Sequence, residues 1–213
     1  MDTNIPKRDR ILNAAEALFA EKGYAGVSLR QIATQANVDV ALASYHFGKK
    51  LELFQAVCER RAQTLNQSRR EALHHCQRSA NDSGPSVEQI IEAFLRPLES
   101  AQVTGNEGWR NYLALVAYIN NSPNWGDRMM SQLFDDLVQE YIEALKQALP
   151  GAREEDIYWC YHNLSGALTL TLANTGRINR LSRGKCDSAD FKAAYEHMIP
   201  FIAAGFREVC SQK

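Results

Sequence analysis

Apolar residues recur along this chain with the period of an α-helix almost from end to end. Between Arg8 and Lys22, Ile11, Leu12, Ala15, Leu18 and Phe19 form one amphipathic stripe, and Gly23 is suited to the left-handed position that ends a helix. Ser28 and Gln31 have the spacing of a capping box, with Leu29, Ile32, Ala33 and Ala36 on the inner side of the short helix that follows. Asn37 tolerates a positive φ and breaks that helix. Asp39 then caps a third helix from Val40 to about Phe47, and Gly48 closes it. A long helix is predicted from Lys49 to about Gln77, its apolar side marked by Leu53, Phe54, Val57, Cys58 and Leu65.

After the linker Ser79–Ser86 the pattern predicts helices at about 86–103, 107–121, 126–149, 153–176 and 188–211. Their breaks fall at Thr104-Gly105-Asn106, Ser122-Pro123-Asn124, Pro150-Gly151 and the polar stretch from Arg177 to Asp187. Pro97 and Pro200 are expected to kink or interrupt their helices. Leu168 to Leu172 alternates as a strand would, but no other segment is suited to pair with it, so it too reads as helix. The fold class is all-α: a three-helix N-terminal unit, residues 1–50, is joined by a long helix to a helical remainder, residues 51–213.

Composition refines this picture. With 45% hydrophobic and 23% charged residues in 213, the chain is an ordinary globular protein. The uncharged run from Ile157 to Gly176 carries His162, Asn163, Ser165, Thr169, Thr171 and Asn174, which suit a helix buried in protein better than one in lipid. The polar, basic start has no apolar region behind it, so a cytoplasmic protein without a membrane segment is expected. Five scattered cysteines with no CxxC pair argue against a disulfide framework or a zinc site. Glu71 and His75 have metal-ligand spacing, but on a charged helix a solvated face accounts for them better. No phosphate loop and no catalytic motif occurs; neither cofactor, metal nor catalytic residue is expected, and the chain does not read as an enzyme. The net charge of −1 divides into +4 for residues 1–78 and −5 for residues 79–213, a basic head on an acidic body.

Two short helices joined by a tight turn, Val27 to Leu53, form a helix-turn-helix pattern. Ala33 supplies the small residue where the helices cross. Val38, Ala43 and Phe47 turn the second helix inward, leaving Val40, Ala41, Leu42, Ser44, Tyr45 and His46 on or near its free face. Such a face enters the major groove of double-stranded DNA, where small apolar side chains meet thymine methyls and polar ones reach phosphates or base edges. Arg30, early in the preceding helix, and Lys49 and Lys50, at the start of the long one, are candidate phosphate contacts.

The segment resembles the DNA-binding domain of TetR-type transcriptional regulators. Ile32, Ala33, Ala36, Val38, His46, Phe47, Lys50 and Leu53 match that family's pattern, and so does Arg10 to Tyr24 upstream. It departs from the pattern at Asn37, where the family has a turn glycine, and at Ser44, where a tyrosine is frequent; Tyr45 stands beside it. The run Tyr45-His46-Phe47-Gly48 resembles a subset of which some members sense fatty acids or acyl thioesters. The resemblance implies a regulator that binds a pseudo-palindromic operator as a homodimer, most often as a repressor. It also implies an effector pocket among the middle helices and dimerisation through the last two.

Phe94, Trp109, Tyr112, Leu113, Val116, Met130, Phe134, Leu137, Tyr161 and Leu164 are the candidate pocket residues, and they favour an apolar effector. Arg110, Asn120, His162 and Asn163 are the polar residues placed to orient it. The segment 153–176, apolar all round, should be buried on every side, and a dimeric four-helix contact would bury it. The competing reading is a helical small-molecule-binding or enzyme subunit in which residues 1–50 are only a packing module.

Overall fold

The computed structural model describes residues 5–80, 84–103, 106–123 and 125–211, and among these every regular element is a helix. The order is α1 (Lys7–Lys22), α2 (Leu29–Gln35), α3 (Val40–Phe47), α4 (Lys50–Ser79), α5 (Val87–Val103), α6 (Glu107–Asn120), α7 (Gly126–Ala148), α8 (Glu154–Ala173), α9 (Arg177–Leu181) and α10 (Phe191–Ser211). Parts of three expected breaks, Asn81–Ser83, Thr104-Gly105 and Asn124, lie outside the described residues.

Two apolar cores organise these helices. The first joins the inner faces of α1, α2 and α3 to the first two turns of α4, with Ile11, Phe19, Ile32, Ala43, Phe47 and Phe54 buried together. Leu115 and Ile119 of α6 and Met129 of α7 complete it. The second is formed by the later turns of α4 with α5, α6, α7, α8 and α10. Helix α4 belongs to both: Leu53, Phe54, Val57 and Cys58 face the first core, and Ala62, Leu65 and Leu73 the second. At 30 residues it is about 45 Å long, enough to act as the common strut.

Where α1, α4 and α6 meet, one carboxylate is buried. Glu16, its side chain 3% exposed, accepts hydrogen bonds from Arg61 Nε at 2.6 Å, Arg61 Nη2 at 2.9 Å and Arg60 Nη2 at 2.8 Å. The Arg61 guanidinium also lies 5.0 Å from the centre of the Trp109 ring. Gly108 is required beside them, because a Cβ there would collide with the Arg61 guanidinium and stand 2.6 Å from Glu16 Oε1.

One expectation needs correction, and the two helix-internal prolines do not interrupt their helices: α5 and α10 run on through Pro97 and Pro200. Each proline costs about 3 kcal/mol in a helix interior, but the two helices pack along each other and bury Ile90, Phe94, Tyr195, Ile199 and Phe206 in the shared core, which outweighs it. The stretch after Arg177, read as a loop, contains the short helix α9. In the single chain Trp159 and Leu170 are exposed on one side of α8.

Removing the Glu16 carboxylate would leave two guanidinium groups facing each other in a largely dry site. Glu16→Gln is expected to lower the unfolding free energy by about 3 kcal/mol in urea denaturation, the lower end for breaking a buried pair because Arg60 is partly solvated.

Candidate functional site

Local hydrogen bonds set the angle between α2 and α3. Ser28 N donates to Gln31 Oε1 at 2.8 Å and Gln31 N to Ser28 Oγ at 3.3 Å, a reciprocal cap that starts α2. At its end Val38 N donates to Ala33 O at 3.0 Å while Asn37 takes φ +51°, so the side chain that tolerates the left-handed region stands at the turn. Asp39 Oδ1 accepts from Ala41 N at 2.7 Å and starts α3. Ala33, 1% exposed, lets the two helices approach.

With Ala43 and Phe47 buried, α3 presents Val40, Ala41, Ser44, Tyr45 and His46 to solvent, and Leu42 is half-buried at the edge. Tyr45 is 83% exposed, its ring edge-on to His46 with 5.5 Å between centroids. Arg30 and Lys49 are exposed on the flanking elements, and the Lys49 backbone N–H donates to Glu52 Oε2 at 2.7 Å, beginning α4. Arg8, which sequence reasoning passed over, lies with its guanidinium 5.2 Å from the centre of the Phe47 ring and so adjoins this face. The basic run at the chain's start was its only signal.

Lys50 departs from the expected phosphate contact. Its ammonium donates to Tyr24 O and Val27 O, both at 3.0 Å, and sits 4.2 Å from the centre of the Tyr24 ring. The charge is thus directed into the segment between α1 and α2, where free carbonyls need a donor. It ties that segment to the start of α4.

In the body, α4 to α8 enclose a narrow cavity of about 40 Å³. Six of the predicted residues line it: Phe94, Leu113, Val116, Met130, Phe134 and Tyr161. Four do not. Trp109 is taken up by Arg61 and by an edge-on contact with Tyr112, while Tyr112, Leu137 and Leu164 are packed inside the core. Of the polar candidates, Asn120 reaches the cavity, its Nδ2 donating to Thr169 Oγ1 at 2.6 Å and Ser165 Oγ at 3.3 Å; Arg110, His162 and Asn163 lie on the surface.

A residue that sequence reasoning missed is Arg69, which lines the cavity and is only 4% exposed. Its Nε donates to Phe94 O at 3.1 Å, and its guanidinium lies 4.0 Å from the centre of the Phe94 ring. Burial lowers its pKa, and the nearest titratable groups are the tyrosines 141, 161, 112 and 195 rather than any carboxylate. The signal was available: Leu65, Arg69 and Leu73 are spaced at i, i+4 and i+8, which puts the arginine on the buried stripe.

Comparison with known proteins agrees with this architecture. The model of bacterial regulatory proteins of the tetR family matches residues 11–57, and that of the tetracyclin repressor-like C-terminal domain matches residues 92–205. The HTH-type transcriptional activator FasR of Mycolicibacterium smegmatis is 32% identical over 93 residues, 44% of this chain and 41% of that protein. The negative regulator IcaR of the icaADBC biofilm operon in Staphylococcus aureus is 26% identical over 116 residues, 54% of this chain and 55% of IcaR. The matches thus span about half or less of these relatives' own length. Among solved structures, a tetR-type protein from Shewanella sp. PV-4 superposes with a TM-score of 0.65 at 18% identity, covering 92% of this chain and 98% of that one. The regulator FadR of Bacillus halodurans gives 0.59 at 17% identity, covering 93% and 97%. These likenesses establish the shared fold. No helix among the described residues is long and apolar enough to cross a membrane.

The internal seat of Lys50 has a measurable consequence. Lys50→Met, which keeps the aliphatic stem over Tyr24 but leaves two carbonyls without their donor, is expected to cost about 1–3 kcal/mol of stability in urea unfolding. A freely solvated lysine would change it by less than about 0.5 kcal/mol.

Proposed function

The chain belongs to the TetR family of bacterial transcriptional regulators, and from that premise we propose that it is a homodimeric repressor released from its operator by a small, largely apolar effector. The observation that carries the DNA-reading part is the outer face of α3. A helix capped at both ends and braced from behind turns Val40, Ala41, Ser44, Tyr45 and His46 outward, and among the described residues Tyr45, at 83%, is the most exposed large apolar or aromatic side chain. Leu42, at the edge of that face, Arg30 and Lys49 join the proposed contact set with Arg8, while Lys50 serves by holding α4 in place. The reading unit is residues 1–50 and the effector and dimerisation unit residues 51–213.

Dimerisation is supported by the outer sides of α8 and α10. Trp159, Leu170, Phe201 and Val209 are exposed there, with Phe201 at 73%, and a Cβ at Gly166 or Gly205 would meet nothing within 4 Å. Large apolar side chains around small ones suit close helix packing against a second copy.

The apolar walls of the cavity support the effector class. At about 40 Å³ the cavity is far smaller than the roughly 300 Å³ or more that a drug-sized ligand fills, so a ligand enters only by moving the walls. Met130 lines the cavity and also packs against the first core, as does its neighbour Leu133. Expansion of the cavity is therefore felt by the helices that carry α3. A ligand that fits only the expanded form shifts the population towards it, and with it the spacing of two α3 helices in a dimer.

Binding to the chain's own upstream DNA, followed by footprinting, tests the proposal. Retardation should be salt-sensitive, and the footprint an inverted repeat with half-sites about 34–36 Å apart. Tyr45→Ala should lose about 1–3 kcal/mol of discrimination between this site and random DNA for each base contact removed. Unchanged selection from a random pool would reject the α3 face. Transcription that falls rather than rises when the gene is deleted would make the protein an activator.

The dimer surface has its own test. Phe201→Glu should convert a dimer to a folded monomer in sedimentation at micromolar concentration, with the helical circular dichroism retained. A parent protein that is itself monomeric would reject the proposed interface.

A further inference from the structure

Arg69 is a charge buried without a counter-charge. Among the described residues its guanidinium forms no ion pair, and its Nε donates to the carbonyl of Phe94. A guanidinium has five N–H donors, and burying them unpaired is costly enough that such groups are ordinarily matched by a carboxylate or phosphate. The Phe94 ring lies against the guanidinium, and Tyr141 donates to the backbone carbonyl of Arg69 at 2.7 Å.

A second buried donor is also unmatched. Tyr112, next in sequence to the cavity-lining Leu113, is wholly buried in the core and its hydroxyl has no hydrogen-bond partner among the described residues. Tyr141 and Tyr195, in contrast, have partners for their hydroxyls, the latter donating to Gln102 Oε1 at 2.8 Å. The cavity that Arg69 lines is walled mainly by apolar side chains, Leu113, Val116, Phe134 and Leu168 among them, with Asn120 bonded to Ser165 and Thr169 on one side.

Resting on the reading of this cavity as the effector site, we infer that the effector is an amphipathic carboxylic acid whose carboxylate is held by Arg69, with its hydrocarbon part lying along the apolar wall. A carboxylate is the counter-charge that this site lacks among its described lining residues. It is planar, it accepts two parallel N–H bonds from one guanidinium, and it needs less room than a tetrahedral head. The ligand also supplies what drives the transition: the paired guanidinium exists only in the liganded form, so the acid favours the expanded cavity over the closed one. Arg69 sits on α4, the strut shared by both cores, so the new bond acts on the helix that leads to the reading head.

The test compares probes of equal chain length. Octanoate, 1-octanol, octylamine and octyl phosphate are titrated by calorimetry into the full-length protein and into Arg69→Met and Arg69→Lys, with the thermal midpoint of each variant recorded first. Octanoate is expected to bind the parent at least tenfold more tightly than 1-octanol, octylamine weakest of all. Arg69→Met should reduce the acid-over-alcohol preference to less than twofold while leaving 1-octanol binding unchanged, and Arg69→Lys should restore part of it. If Arg69→Met does not fold, the parent's ratio and that of Arg69→Lys still decide. Equal binding of acid and alcohol by the parent would overturn the role of Arg69 and leave the apolar cavity standing. Tighter binding of octyl phosphate than octanoate would overturn the carboxylate. If no probe binds, the inference and the effector site on which it rests both fall.

Discussion

A carboxylate taken out of water between helices costs several kcal/mol unless it is fully paired, and Glu16 is paired on both sides, by Arg60 and by Arg61. Those two arginines stand on α4 and the glutamate on α1, so the ion cluster sets where the N-terminal helices sit on the strut. Gly108 and Trp109 draw α6 into the same junction, the glycine by leaving room and the indole by covering Arg61. Side chains of α6 and α7 complete the first core just beside it. The reading head is therefore not a bead on a flexible joint. Its orientation is held by a small set of contacts that also involve the C-terminal helical half.

That arrangement gives the two halves a common mechanical element. Helix α4 contributes Phe54 and Val57 to the head, Leu65 and Arg69 to the cavity, and its first turn is tied to the segment ahead of α2 by Lys50. Packed interiors transmit small displacements rather than absorbing them. Helix α4 and Met130 are thus the packed elements that the cavity and the core beneath α3 have in common.

Where side chains lie elsewhere than the sequence suggests, one cause recurs: charge and aromaticity were taken at their usual place in a fold. Lys50 looked like a phosphate contact because it follows the second helix of the motif, yet nearby backbone carbonyls hold its ammonium. Trp109 looked like a pocket wall because it is large and apolar and stands on a middle helix, yet a cation from another helix occupies its face. Arg69 stood in a helix crowded with Arg70, Gln67 and Glu71, and a solvated role was the natural reading. Only its spacing from Leu65 and Leu73 distinguished it.

By itself the sequence determined what depends on near neighbours. Periodicity, the Ser28–Gln31 and Asp39 caps, and the positive φ at Asn37 and Gly48 are decided within a few residues, and so the order and ends of α1 to α4 and most later helices could be read directly. The motif in α2 and α3 was legible for the same reason, since its inward and outward faces follow from one helical repeat. Tertiary structure alone decided which side chains from distant helices share a space: whether α5 and α10 continue through their prolines, which of ten apolar candidates reach the cavity, and that a buried arginine stands among them. Those outcomes turn on packing energies summed across helices far apart in the chain, and no local pattern carries that sum.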